Sequence, residues 1–174
     1  KCGRCSEDCK YCAQSAHYQT ACDQSYPLLS AEELLDGARR SARQGVLRYS
    51  IVTSGRRLSD AEVEQVCGSI RKIKAETSIE VCVSLGLLDE TQFHRIREAG
   101  ASRVHCNLET SARYFPSVCT THTYAEKIET LQAAKRAGLS VCSGGILGLG
   151  ETMEDRIDMA LTVRELGVRS VPVN

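Results

Sequence analysis

TSIEVCVSLGLLDE, residues 77–90, is the stretch whose alternation decides the fold. Side chains of a strand point alternately to its two faces, so Ile79, Val81, Val83 and Leu85 share one side while Glu80, Cys82 and Ser84 share the other. An open doubly wound sheet is covered by helices on both faces, and its strands read as unbroken apolar runs. This stretch has one apolar face and one polar face. It predicts a sheet covered by helices on one side only, with its other side turned to a functional cavity, as in a barrel or part of one.

The same parity recurs along the chain. Over 102–109, Val104, Cys106 and Leu108 oppose Arg103, His105, Asn107 and Glu109; over 139–144, Leu139, Val141 and Ser143 oppose Ser140, Cys142 and Gly144. In 168–174, Ser170, Pro172 and Asn174 lie opposite Val171 and Val173. Strands are therefore predicted at 46–52, 79–85, 102–108, 139–143 and 168–173. A helix precedes each one. Ser30 with Glu33, Ser59 with Glu62, Asp89 with Gln92, Thr123 with Glu126 and Thr152 with Asp155 have the spacing of reciprocal N-terminal caps. Gly45, Gly100, Gly138 and Gly167 stand where four helices should stop. Alternating helices and strands predict an α/β fold with a parallel sheet, of the (β/α)8 TIM type. At 174 residues the chain is shorter than the roughly 250 of a full barrel, so a partial barrel in one domain, 1–174, is expected.

Lys plus Arg equals Asp plus Glu at 22 each, so net charge gives no sign of a nucleic-acid or membrane partner. No apolar run reaches the roughly 20 residues of a membrane span and no secretory signal opens the chain, which predicts a cytoplasmic protein. Ten cysteines are many for this length. A disulfide framework would suit a small secreted domain, whereas three cysteines crowded near the start suit metal chemistry.

Those three stand in CGRCSEDCKYCAQS, residues 2–15, as Cys5, Cys9 and Cys12 with the spacing C-x3-C-x2-C. Three thiolates on one loop can hold three corners of a cubane and leave one iron open to a small molecule. Structural zinc would want four closed ligands, which Cys2 could complete. Arg4 and Lys10 are candidate cations beside the thiolates.

At this spacing the loop resembles the signature of the radical S-adenosylmethionine (SAM) superfamily. EDCKYCAQS, HCNLET, TTHTY, VCSGGILGLGET and SVPVN, in that order and over nearly the whole chain, resemble the biotin synthase family within it. The resemblance implies a full (β/α)8 barrel with a first strand just before Lys1 and two more after Asn174. It implies a 4Fe-4S cluster on Cys5, Cys9 and Cys12, with SAM on its open iron. Tyr11, Thr53, Ser54, Asn107, Glu109 and Lys127 fall at positions that contact SAM, Glu109 through the ribose hydroxyls; Lys127 alone reads equally well as a solvated lysine.

His105, Asn107 and Asn174 match substrate-binding positions, with His105 where asparagine is usual in the family. Cys82 and Cys142 match ligands of a second, sulfur-donating cluster, 2Fe-2S in the family. Its third cysteine is replaced by Ser50, a poor substitute for a soft thiolate, so a variant cluster is expected. Cys106 or Cys119 could complete it. The implied reaction converts dethiobiotin to biotin, with reduced flavodoxin or ferredoxin as electron donor and a homodimer as the assembly. The alternatives are a related radical enzyme without sulfur insertion, of the hydrogenase-maturation or lysine-mutase type, and a non-catalytic zinc or iron-sulfur module. Cys67 falls on an apolar helical stripe and reads as core, Cys22 falls in a loop, and the glycines of SGGILGLGE read as points where backbone approaches a ligand closely.

Overall fold

The computed structural model describes residues 1–20 and 24–174, so Cys22 lies outside the described residues. Among the described residues five helices alternate with four strands: α1 (Ala31–Arg43), β1 (Arg48–Val52), α2 (Asp60–Glu76), β2 (Glu80–Ser84), α3 (Glu90–Glu98), β3 (Arg103–His105), α4 (Tyr124–Arg136), β4 (Ser140–Cys142) and α5 (Met153–Glu165), with a short 3-10 turn at Phe115–Ser117. All five predicted caps form reciprocal boxes, with Ser30, Ser59, Asp89, Thr123 and Thr152 each accepting from the third residue of its helix. Each such cap contributes about 1 kcal/mol by satisfying amides that the helix leaves orphaned.

The strands pair in parallel in the order β1-β2-β3-β4, with Ser50 beside Cys82, Cys82 beside Arg103, and His105 beside Cys142. The helices pack in sequence, α1 on α2, α2 on α3 and α3 on α4. Sequential parallel strands backed by a ring of successive helices make an arc of a TIM-type barrel. Val81, Val83, Leu85, Val104, Leu108 and Val141 join the helix residues Val63, Ile70, Ile73, Ile96 and Leu131 in one buried core, and Cys67 lies within it. Each large side chain so buried contributes roughly 1.5–3 kcal/mol. The parity of the sequence therefore corresponds to core outside and polar cavity inside.

The predicted strand at 168–173 is not continuous. Ser170 bridges Cys142 and Val173 bridges Gly145, with hydrogen bonds from the Ser143 amide to Ser170 and from the Gly145 amide to Pro172. Pro172 accepts there but has no N–H to donate, which interrupts the ladder. The glycines at 144 and 145 also differ from expectation. What approaches them is protein: a Cβ on Gly144 would lie 1.8 Å from the Pro172 carbonyl oxygen, and one on Gly145 would lie 2.5 Å from that of Glu109. They let neighbouring backbones close the arc.

Candidate functional site

The cysteine loop is pinned on itself and on the start of α4. The Cys5 amide donates to Gln14 O, the Ala16 amide to Cys5 O, and the Cys12 amide to Cys9 O. Asp8 accepts from the Thr120 amide at 2.8 Å and the Thr121 amide at 3.2 Å. The Thr120 hydroxyl and these amides hold its carboxyl well below the usual range. A carboxylate so fully satisfied acts as a clip between two loops.

Cys5, Cys9 and Cys12 then line one cavity of about 330 Å³ together with Tyr11, Val52 to Gly55, His105, Asn107, Glu109 and Lys127. Burial and the neighbouring Cys119 push the Cys9 thiol up to about 12, although Lys127 opposes the rise. Lys127 and Arg56 are cations that line the cavity with this loop, whereas Arg4 and Lys10 are exposed. Cys2 pairs by its backbone with Tyr26 and lines a different cavity, away from the three-cysteine set.

Glu109 and Lys127 form the polar centre of the cavity. Lys127 is only 7% exposed, which overturns the solvated reading; its Nζ donates to Asn107 O at 2.7 Å and lies 3.6 Å from Glu109 Oε1. Glu109 is also 7% exposed, and its Oε2 is buried with no hydrogen-bond partner. An orphaned buried oxygen costs about 1–3 kcal/mol, more when charged. Glu109 also holds φ at +73°, a left-handed conformation that a residue with a side chain adopts at a cost of about 1–2 kcal/mol. Both costs are offset when a ligand donates hydroxyls to that oxygen.

Tyr11 stands between Glu109 and Cys9, its hydroxyl pKa raised by burial and by their charges. Asn107 Oδ1 accepts from the Gly144 amide at 3.0 Å, which fixes its side-chain NH2. The Thr53 and Ser54 amides already donate to Ser84 and Lys1 carbonyls. Carbonyl oxygens are thus the groups this stretch has for an ammonium. Three thiols, an unpartnered carboxylate oxygen and a buried lysine fit an iron-sulfur cubane beside a ligand that carries hydroxyls and a carboxylate.

Deeper on the same inner face lies a second group. Cys82 is buried beside Ser50 in register, its thiol pKa raised by burial against the opposing effect of Ser50, Arg103 and Arg48. Cys142 Sγ is 3.5 Å from His105 Nδ1 and accepts from Ser170 Oγ at 3.3 Å. Arg48 Nε is buried without a partner. Two thiols near two guanidiniums suit part of an anionic iron-sulfur site, and Ser50, beside Cys82, offers a hydroxyl where the expected set has a thiolate. Cys106 donates its amide to the Cys142 carbonyl at 3.1 Å and packs against the helix-side core, and the Cys119 thiol has its polar contacts with Asp8, Cys9, Thr121 and His122; among the described residues no hydrogen bond joins either thiol to that of Cys82 or Cys142. Asn174 pairs with Gly145 and Leu147 through its backbone and does not line the cavity. Sequence reading missed Glu7, Asp8 and His122, which meet across more than 110 positions of chain: His122 Nδ1 lies 2.6 Å from Glu7 Oε2. Acidic residues inside a cysteine loop, ED in SEDC, were the available signal.

Residues 2–163 match the Radical SAM superfamily. Biotin synthase 2 of Corynebacterium diphtheriae is 59% identical over 174 residues, covering 100% of this chain and 53% of that protein. The biotin synthase of Akkermansia muciniphila is 58% identical over 172 residues, covering 99% of this chain and 53% of that protein. The chain spans about half the length of the curated relatives it matches. In fold it is similar to a crystal structure of methylornithine synthase, with TM-score 0.84 at 19% identity over 98% of this chain and 50% of that one. It is also similar to the FeFe-hydrogenase maturase of Carboxydothermus hydrogenoformans, with TM-score 0.77 at 20% identity over 97% of this chain and 42% of that one.

Proposed function

We propose that this chain, which belongs to the radical SAM superfamily, carries the SAM-binding and sulfur-insertion core of a biotin synthase whose substrate is dethiobiotin. The observation that carries the reading is one cavity in which three cysteines meet the orphaned Oε2 of Glu109. A cubane held by Cys5, Cys9 and Cys12 would supply the one-electron reduction of SAM on which hydrogen abstraction from the substrate depends.

The chain's residues bind and orient. Glu109 accepts the ribose hydroxyls, Lys127 balances that carboxylate and attracts the methionine carboxylate, and the Thr53 and Ser54 carbonyls take the amino group. Tyr11 packs beside the adenine. His105 and Asn107, which line the cavity, position the ureido ring of dethiobiotin. Cys82 and Cys142 hold the sulfur-donating cluster, which is a variant one because Ser50 replaces a thiolate.

The chain is part of a longer (β/α)8 domain on this reading. Among the described residues no helix is long and apolar enough to cross a membrane. A cytoplasmic homodimer reduced by flavodoxin or ferredoxin completes the proposal. The experiment is an anaerobic assay of the full-length protein, reconstituted with iron and sulfide and supplied with SAM, a reductant and dethiobiotin. Biotin and 5′-deoxyadenosine should both form; 5′-deoxyadenosine without biotin would favour a radical enzyme that inserts no sulfur, and neither product with zinc bound would favour a structural module.

A further inference from the structure

Cys119 and His122, on the loop entering α4, have no task in the reading above, yet both are buried. Cys119 Sγ lies 3.7 Å from Cys9 Sγ, and 3.3 Å and 3.9 Å from Nδ1 and Nε2 of His122. One ligand atom from each of the three residues lies within 4.8 Å of the others. Thiolates at about 2.3 Å and an imidazole at about 2.0–2.1 Å from a tetrahedral zinc are separated from one another by about 3.5–3.8 Å. The sulfur-sulfur distance and the Nε2 distance are close to those edges.

The surroundings fit as well. Glu7 Oε2, 2.6 Å from His122 Nδ1, takes that ring N–H, and the Thr121 hydroxyl donates to the same oxygen at 2.9 Å. A carboxylate on one ring nitrogen leaves the other as a lone pair for a metal, the usual support of a ligating histidine. A purely structural role, Cys119 donating to Asp8 Oδ1 at 3.2 Å, accounts for that thiol but not for its meeting with Cys9 and a glutamate-oriented histidine.

We propose that Cys9, Cys119 and His122 form a mononuclear site for a soft divalent cation, zinc or ferrous iron, in the chain that lacks its cluster. The fourth position faces the cavity, which Cys9 and His122 both line. Binding displaces two thiol protons and changes no oxidation state. Cys9 belongs to both ligand sets, so the single ion and the cubane exclude each other, and the ion holds the cysteine loop against α4 until the cluster is loaded. This site stands independently of the sulfur-insertion reading.

The test uses full-length protein, cluster-free and fully reduced, titrated anaerobically with cobalt(II) chloride. One equivalent should give the strong visible bands of tetrahedral cobalt with sulfur-to-cobalt charge transfer. Cys119→Ser should reduce the charge-transfer band to about half, one thiolate of two being lost. Glu7→Gln, which keeps shape and reports even where Cys119→Ser fails to fold, should weaken binding about tenfold or more. Cys5→Ser and Cys12→Ser should leave the spectrum unchanged. Bands that vanish in Cys5→Ser or Cys12→Ser, or that persist at full strength and affinity in both Cys119→Ser and Glu7→Gln, would overturn the site, as would a weak six-coordinate spectrum in the unaltered protein.

Discussion

At the mouth of the cavity the chain pairs its own charges: Lys127 with Glu109, and Arg56 with both Glu7 and Glu126. Deeper on the same inner face, Arg103 hydrogen-bonds the hydroxyls of Ser140 and Ser170 at 3.4 and 3.5 Å, and Arg48, whose Nε is buried with no partner among the described residues, acts with it on the Cys82 thiol. Both arginines are half-buried, and cations beside thiols favour an anionic group there. The mouth is nearly self-sufficient and has one oxygen reserved for a ligand. The deep patch has cations to spare for an anion. On the proposed function, the difference separates two tasks, holding SAM and holding sulfur, on one sheet.

Removing Cys9 should have the largest effect. Cys9→Ala deprives the cubane of a ligand, and both 5′-deoxyadenosine and biotin formation should fall below detection in an anaerobic product assay. Residual cleavage near the original rate would break the division of tasks at the mouth. Glu109→Gln comes next. Losing one acceptor for the ribose and unbalancing Lys127 should weaken SAM binding by about tenfold to a hundredfold, on the order of 1.5–3 kcal/mol, read by equilibrium binding. Ser50→Cys sharpens the deep patch: it should change the iron content and electron paramagnetic resonance of the auxiliary cluster while SAM affinity stays within about twofold, since Ser50 lies outside the cavity. The smallest effect belongs to a residue of neither region. Thr152→Ala removes one half of the α5 cap and should lower stability by about 1 kcal/mol in denaturant, with SAM affinity unchanged.

Much of this division is legible in strand parity. Alternation places Cys82, His105 and Cys142 inside and Val81, Val104 and Val141 in the core, because a strand's period of two fixes its faces whatever the rest of the chain does. Caps are legible for the same local reason. The loops are not. Cys119 is a candidate partner for Cys82 and Cys142 by sequence, but it lies beside Cys9 because Asp8 clips the cysteine loop to Thr120 and Thr121, a contact between residues more than 110 apart. The burial of Lys127 is equally hidden: on α4 its position looks like a solvated first turn, and it is Asn107, Glu109 and Phe115, the last with Nζ 5.8 Å from the ring centroid, that meet its side chain. Glycines 144 and 145 suggest room for a ligand, whereas the neighbouring chain occupies that room.

The central claim, that mouth and patch do separate work, is tested most directly by Cys82→Ala in the reconstituted full-length protein, with 5′-deoxyadenosine and biotin measured in the same reaction. The account predicts that 5′-deoxyadenosine still forms while biotin does not. Loss of both products, with the three-cysteine cluster fully loaded, would contradict it.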